Sequence, residues 1–278
     1  MVPKFIIVGA MKSGTSTLAH HVGEHPEVYM PSGEVHFFYD QGRGNFEKGV
    51  EWYKKKFEGA TSGQIVGEKT PTYSYLPGVA ERIYDLIPDA KLIWIFRNPI
   101  DRAYSNYWHT VRAGLEPLGF EKAVRSEQER DIWKGYLRRS LYAEQVDRYL
   151  EYFDKEQMHF CLFEELKEDP ESVLENVYRF ISVDSKHASQ LNPHARKNVT
   201  RIPRSKLFRC LTRSVLNEVP LLSSITFRLD HKFNQRSEPG YPEMDQTLKR
   251  ELINYFKPYN QKLASQTGLD TKIWEREK

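Results

Sequence analysis

A short apolar strand that breaks into a turn of glycine and hydroxyl residues, then into a helix, constrains this chain more than any other feature. The segment FIIVGAMKSGTSTLAHHVGEHP, residues 5–26, has that layout. Its opening run KFIIVGA is nearly continuously apolar, as expected of a strand buried on both faces. Pro26 stops the helix that follows. Successive backbone N–H groups around Lys12–Ser16 can point into one concavity, and the helix N-terminus adds partial positive charge. Ser13, Thr15, Ser16 and Thr17 supply hydroxyl donors, and Gly14 lets the backbone approach a ligand. The anion that suits this turn is a 5′-phosphate. The bland alternative, a Gly/Ser turn ahead of a helix cap, requires neither the lysine nor four hydroxyl residues. A Walker loop places its lysine directly after the second glycine. Here Gly9 and Gly14 have the Walker separation, but Thr15 follows Gly14 and the lysine is Lys12.

The rest of the chain alternates strands with helices. QIVGEKTPTYSYL reads as a strand running into a loop, and PGVAERIYDLIPDA as a helix with Val79, Ile83 and Leu86 on one face. KLIWIFRNP is a second apolar strand, ending at Arg97, and Pro99 opens the helix PIDRAYSNYWHTVRAG that Gly114 closes. GYLRRSLYAEQVDRYLEYF suggests an amphipathic helix presenting Leu137, Leu141, Tyr149, Leu150 and Phe153. MHFCLFEEL is a third strand, ending in Glu164 and Glu165. DPESVLENVYRFISV is a helix starting at Asp169 or Pro170. Residues 192–243 read as irregular and basic, with helix only around Lys206–Leu216, and residues 245–268 as a terminal helix kinked at Pro258. Alternation of this kind implies parallel βαβ units, hence an α/β fold in which helices flank a central parallel sheet, here over one domain, 1–278. Ligands of such sheets sit beyond the carboxyl ends of the strands, where Lys12 and Arg97 fall and which Glu34 can reach.

A kinase or ATPase needs a carboxylate beside its phosphates to hold magnesium. The strand KLIWIFRNP ends in Arg97 instead; Glu164 and Glu165 make a metal site disfavoured rather than excluded. An arginine at a strand end suggests a second phosphate held by protein charge, with Ser105, two turns into the next helix, donating to the same group. The expected ligand is a nucleotide with two anionic ends, handled without metal.

Bulk properties narrow the partners. The chain has 278 residues, 39% hydrophobic and 28% charged, which fits an ordinary globular protein. A net charge of +3 argues against nucleic acid while leaving room for a local polyanion site. Two cysteines, Cys161 and Cys210, are neither a disulfide scaffold nor a zinc pattern; two reduced thiols are expected, with a single bridge as the alternative. No signal peptide pattern precedes the first strand and no apolar run approaches a membrane span, so the expected location is cytoplasmic.

PKFIIVGAMKSGTSTLAHHVGEHPEV together with RNPIDRAYSNY resembles the sulfotransferases that use 3′-phosphoadenosine 5′-phosphosulfate (PAPS). The first motif is similar to their 5′-phosphosulfate loop, with Lys12 as the loop lysine, and the second to their 3′-phosphate motif, carried by Arg97 and Ser105. HPEVYMPSG followed by EVHFFYD resembles the heparan-sulfate-type carbohydrate branch, which implies that Glu34 is the general base. GEKTPTYSY is similar to that branch's second lysine segment, which implies Lys69 near the transferring group. The aryl and steroid branch places a histidine two residues after that lysine, where this chain has Pro71. One departure stands against the resemblance. Many carbohydrate enzymes of this type carry a Lys-Gly-Arg turn over the 3′-phosphate, and here the stretch reads SEPGYPEMD; Arg236, Arg201 or Arg204 are the candidates to replace it.

The implied reaction is in-line displacement at sulfur, from PAPS to a hydroxyl or amine of a small molecule, glycan or glycolipid, leaving 3′,5′-ADP. Glu34 and His36 lie two apart on a segment read as extended, so both side chains are expected on one side, with His36 tuning the base or binding the acceptor. Lys12 is expected to track the breaking bond and Lys69 to bridge the sulfuryl group and Glu34. Two rivals stand beside this reading: a magnesium-dependent kinase of a small metabolite, and a non-catalytic nucleotide- or glycan-binding module. Acceptor specificity is expected in the loops 42–49, 114–135 and 192–204.

Overall fold

The computed structural model describes residues 1–40, 42–190, 200–203, 205–218, 235–238 and 241–275. Five parallel strands form the main sheet: β1 (Phe5–Gly9), β2 (Val28–Tyr29), β3 (Ile65–Lys69), β4 (Lys91–Phe96) and β5 (Met158–Leu162), in spatial order β2-β3-β1-β4-β5. The registers pair Phe5 with Gly67 on one side and with Lys91 on the other, and Ile93 with His159. Gly67 is required by that pairing: a Cβ there would lie 2.1 Å from the ring of Phe5. Between β3 and β4 the chain passes from one side of β1 to the other. The carboxyl ends of the three adjacent strands β3, β1 and β4 are therefore neighbours, which is where open α/β sheets bind ligands.

The helices are α1 (Thr15–Gly23), α2 (Gly49–Lys55), α3 (Val79–Leu86), α4 (Pro99–Arg112), α5 (Phe120–Arg125), α6 (Tyr142–Leu150), α7 (Phe163–Glu168), α8 (Pro170–Ile181), α9 (Lys206–Glu218) and α10 (Gln246–Thr267). Strand residues alternate between two packed layers. Phe5, Ile7, Ile93 and Ile95 join Leu18 and Val22 of α1 and Val173, Leu174, Val177 and Ile181 of α8 in one core. On α6, Tyr149 and Tyr142 pack their rings on Trp94 and Phe96. Both faces being covered, all of β1 is buried, which is why it reads as an apolar run.

By backbone contacts the chain divides into two compact units, residues 1–99, 141–195 and 256–278 in one and 100–140 and 196–255 in the other. The second unit is organised by buried charge. Arg102, with no exposed surface, donates to Ser140 Oγ, Asn106 Oδ1 and the Tyr136 carbonyl, and buried Glu116 takes Arg130 and the Tyr136 hydroxyl.

Several expectations are corrected. Residues 34–40, expected to be extended throughout, are interrupted at His36, whose backbone is left-handed, φ 53°. Glu164 and Glu165 open α7 rather than end a strand; Glu164 accepts from the Asn98 N–H and Glu165 from that of Leu162. Leu150 is 39% exposed, because α6 begins only at Tyr142 and buries Tyr142, Ala143, Val146 and Tyr149 instead. The 192–243 segment is not irregular apart from its helix: β6 (Thr200–Pro203) and β7 (Gln235–Glu238) pair antiparallel within it. Pro258, where a kink is expected, lies inside helix α10. Both cysteines are free thiols, as expected. Among the described residues no helix is long and apolar enough to cross a membrane.

Candidate active site

The turn after β1 keeps the geometry its residues dictate. Lys12 (φ 71°) and Gly14 (φ 95°) both lie in the left-handed region, which curls the backbone ahead of α1. At Gly14 only glycine fits, since a Cβ would stand 2.6 Å from the Phe163 ring, in addition to the cost of a side chain at that φ. Gly14 caps α1 without any side-chain hydrogen bond to the first turn. Ser13 is fully buried, and its Oγ has no hydrogen-bond partner among the described residues. A buried hydroxyl left unpaired costs free energy, so this donor fits an anion seated in the turn. Thr15 is buried, Ser16 is exposed, and Thr17 is half-buried.

Arg97, immediately beyond β4, reaches the same turn. Its Nη1 donates to the Lys12 carbonyl at 3.3 Å, and its guanidinium lies 5.0 Å from the Phe163 ring centre, the ring that also closes on Gly14. Tyr142 Oη donates to the Arg97 carbonyl. One guanidinium is thus fixed against the turn after β1. Ser105 belongs to the second unit, where it is buried on α4 and its Oγ lies 3.4 Å from Tyr241 Oη.

The expected catalytic groups come from three different segments. Lys69, the last residue of β3, has its Nζ 2.8 Å from Glu34 Oε1 and 3.3 Å from Ser16 Oγ. A single ammonium therefore spans the carboxylate and the first turn of α1. His36 Nε2 lies 3.3 Å from Glu34 Oε2, and His36 Nδ1 lies 2.6 Å from Tyr39 Oη. Burial holds the His36 pKa below its ordinary 6.5; the Glu34 charge opposes that shift and the Lys69 charge adds to it. A neutral imidazole donating from Nε2 to Glu34 and accepting at Nδ1 from Tyr39 satisfies both contacts. Glu34 and His36 meet, but not through strand alternation: the left-handed backbone at His36 turns its ring back onto the carboxylate.

Sequence reading missed the support beneath this loop. Glu68, fully buried beside Lys69, accepts from Tyr53 Oη at 2.6 Å, from Thr70 Oγ1 at 3.3 Å and from Tyr73 Oη at 3.5 Å. Burial raises its pKa from 4.5 to about 7, against these three donors. The available signal was an acid inside an otherwise apolar strand, followed closely by threonine and tyrosine. Of the residues expected to replace the Lys-Gly-Arg turn, Arg201 and Arg236 sit on the paired strands β6 and β7, and Arg204 lies outside the described residues.

Neighbouring strand ends of a parallel sheet thus carry a left-handed turn, an arginine held against it and a lysine–carboxylate pair, an arrangement suited to group transfer from a nucleotide. The chain matches the sulfotransferase domain model over residues 2–267 and belongs to that family. It is a PAPS-dependent sulfotransferase. It is 32% identical over 273 residues to heparan sulfate glucosamine 3-O-sulfotransferase 5 of Mus musculus, covering 96% of this chain and 72% of that protein. It is 30% identical to heparan sulfate glucosamine 3-O-sulfotransferase 6 of Homo sapiens, again over 96% and 72%. Among solved structures, a sulfotransferase from Alicyclobacillus acidocaldarius superposes with a TM-score of 0.73 at 29% identity, over 99% of this chain and all of that one.

Proposed function

We propose that this enzyme sulfates a hydroxyl of a carbohydrate, with Glu34 as the general base. The observation that carries the reading is the Lys69 bridge, which ties the Glu34 carboxylate to the first turn of α1 through Ser16. The carbohydrate acceptor is supported by the relatives at about 30% identity, whose names place sulfate on an oxygen of glucosamine in heparan sulfate.

When bound, PAPS supplies the sulfuryl group and departs as 3′,5′-ADP. The turn of Lys12, Ser13, Gly14, Thr15, Ser16 and Thr17 would hold its 5′ end, with the orphaned Ser13 hydroxyl as one donor, and Arg97 would hold the 3′-phosphate. Glu34 takes the acceptor proton; a carboxylate oxygen bonded once by Lys69 or His36 keeps further acceptor capacity. His36, uncharged at neutral pH, fixes the carboxylate rotamer by donation and adds no second cation beside Lys69. Lys12 places positive charge where negative charge develops on the leaving phosphate, a preorganised electrostatic role.

Transfer of labelled sulfate from PAPS to a panel of hydroxyl- and amine-bearing saccharides tests the acceptor class; transfer to amines alone overturns the oxygen assignment. Replacing Glu34→Gln should lower kcat by roughly 10²–10⁴-fold, the usual contribution of a placed base. Binding of 3′,5′-ADP by calorimetry should stay within about two-fold, and a near-normal rate for the Gln variant removes Glu34 from the base role.

A further inference from the structure

The loop that carries Glu34 and His36 has no strand partner, yet its backbone groups are satisfied. The N–H groups of Val35 and His36 both donate to Thr70 Oγ1, at 3.2 and 3.3 Å. Those of Phe37 and Phe38 both donate to Tyr73 Oη, at 2.7 and 3.4 Å. On the carbonyl side, Asn45 Nδ2 donates to the Val35 carbonyl at 2.9 Å and the Asn45 N–H to that of His36 at 2.8 Å. Two hydroxyl oxygens thus stand in for a neighbouring strand along four consecutive residues. Both hydroxyls can accept from the loop because their own hydrogens are directed elsewhere, toward the buried Glu68 carboxylate.

We propose that Thr70 and Tyr73, anchored on Glu68, are positioning residues for catalysis, holding the Glu34–His36 loop in register with Lys69 at the end of β3. The inference rests on the reading of Glu34 as base. The geometry is self-consistent. Residues 68, 69 and 70 alternate in direction: Lys69 meets Glu34 on the ligand side, while Glu68 and Thr70 turn into the core. One short segment therefore contacts the base through a side chain and holds the base's backbone through another. Thr70, with no exposed surface, and Tyr73, likewise enclosed, sit in a dry site where an aligned hydroxyl is worth more than in water. Tyr149 Oη donates to the Tyr73 carbonyl and fixes the tyrosine from below.

The test is a set of near-isosteric deletions: Thr70→Val, Tyr73→Phe and Tyr178→Phe. Tyr178 on α8 is equally buried and donates to the His21 carbonyl rather than to Glu68 or the loop, so it controls for loss of a buried hydroxyl. Hydrogen exchange read at residues 35–38 should speed up by at least ten-fold in Thr70→Val and Tyr73→Phe. In the same two variants kcat should fall ten-fold or more while 3′,5′-ADP affinity and acceptor KM stay within about three-fold. Tyr178→Phe should leave both exchange and kcat within about three-fold of the parent. Unchanged exchange in the first two variants, unchanged kcat despite faster exchange, or an equal kcat loss in Tyr178→Phe each overturns the proposal. Glu34→Gln is run in parallel. If it keeps the parent rate, the base assignment fails, and the positioning role falls with it. If it is inactive while Thr70→Val and Tyr73→Phe turn over normally, only the positioning role fails.

Discussion

At the residue scale the site is organised by a few positions whose conformations only one residue type tolerates. Gly14 is the clearest. An alanine there meets both a left-handed φ and the Phe163 ring at 2.6 Å, and that ring is also the platform for Arg97. Gly14→Ala should lower 3′,5′-ADP affinity at least ten-fold by calorimetry, because the ring and the guanidinium must move together, and the φ alone costs about 1 kcal/mol or more. Removing the ammonium of Lys69 with Lys69→Met should lower kcat more than ADP affinity, since Nζ touches Glu34 directly and the turn after β1 only through the Ser16 hydroxyl. A variant that loses ADP binding and keeps kcat would assign Lys69 to the nucleotide instead. Chemically distinctive residues stand out as single letters: Lys12, Glu34, Lys69 and Arg97 all follow apolar runs or sit between turn residues, Glu34 exposed and the other three half-buried. Glu68, Thr70 and Tyr73 do not, because a buried polar cluster is defined by which side chains converge, and no spacing along the chain announces that.

At the scale of elements, the strands that were legible are those buried on both faces. β1 and β4 read as apolar runs because helices cover them on each side. The 34–40 segment reads as extended because VHFFY has strand-like composition, but a continuous extended run is held by a neighbour to pair with. Here the hydroxyls of Thr70 and Tyr73 take the role of that neighbour. β6 and β7 were missed for the opposite reason: TRIP and QRSE are short and polar, so a two-stranded ladder leaves no hydrophobic alternation. Helix α8 shows a start that sequence does give. Asp169 accepts from the Ser172 N–H at 3.1 Å and Pro170 opens the first turn, ahead of the buried stripe Val173, Leu174, Val177, Tyr178 and Ile181. Asp169→Ala should cost about 1 kcal/mol and lower Tm by a few degrees in a thermal melt. Since α8 packs on α1, β4 and β5 rather than on the strand ends, activity of the folded variant should be unchanged.

At the scale of the whole molecule, alternation of strands and helices was enough to give a parallel α/β sheet, while the strand order β2-β3-β1-β4-β5 and the division into two compact units depend on long-range packing that no local pattern encodes. Global stability should nonetheless record a single residue. Glu68 is enclosed by Tyr53 from α2, by Thr70 and Tyr73 following β3, and by Tyr149 from α6, with no cation among the groups that shift it. Its folded pKa, about 7, lies above the unfolded 4.5, so the native state binds this proton more tightly than the unfolded chain does. The resulting stabilisation is complete below about pH 4.5 and is lost as pH rises through about 7; its size is on the order of 3 kcal/mol, at about 1.4 kcal/mol per tenfold change in proton affinity. Glu68→Gln has no such proton to lose. Relative to the parent, the Gln variant should gain Tm steadily from pH 5 to pH 8, although it is less stable than the parent at pH 5, where the protonated acid is intact. A Tm difference that stays constant across this range would mean that Glu68 titrates normally. The hydroxyl directions at Thr70 and Tyr73 would then have to be set by something other than its charge. Conversely, a difference that follows pH links stability to activity in opposite senses: the ionised carboxylate that destabilises the fold is the form that accepts all three hydroxyls and leaves the loop N–H groups their acceptors.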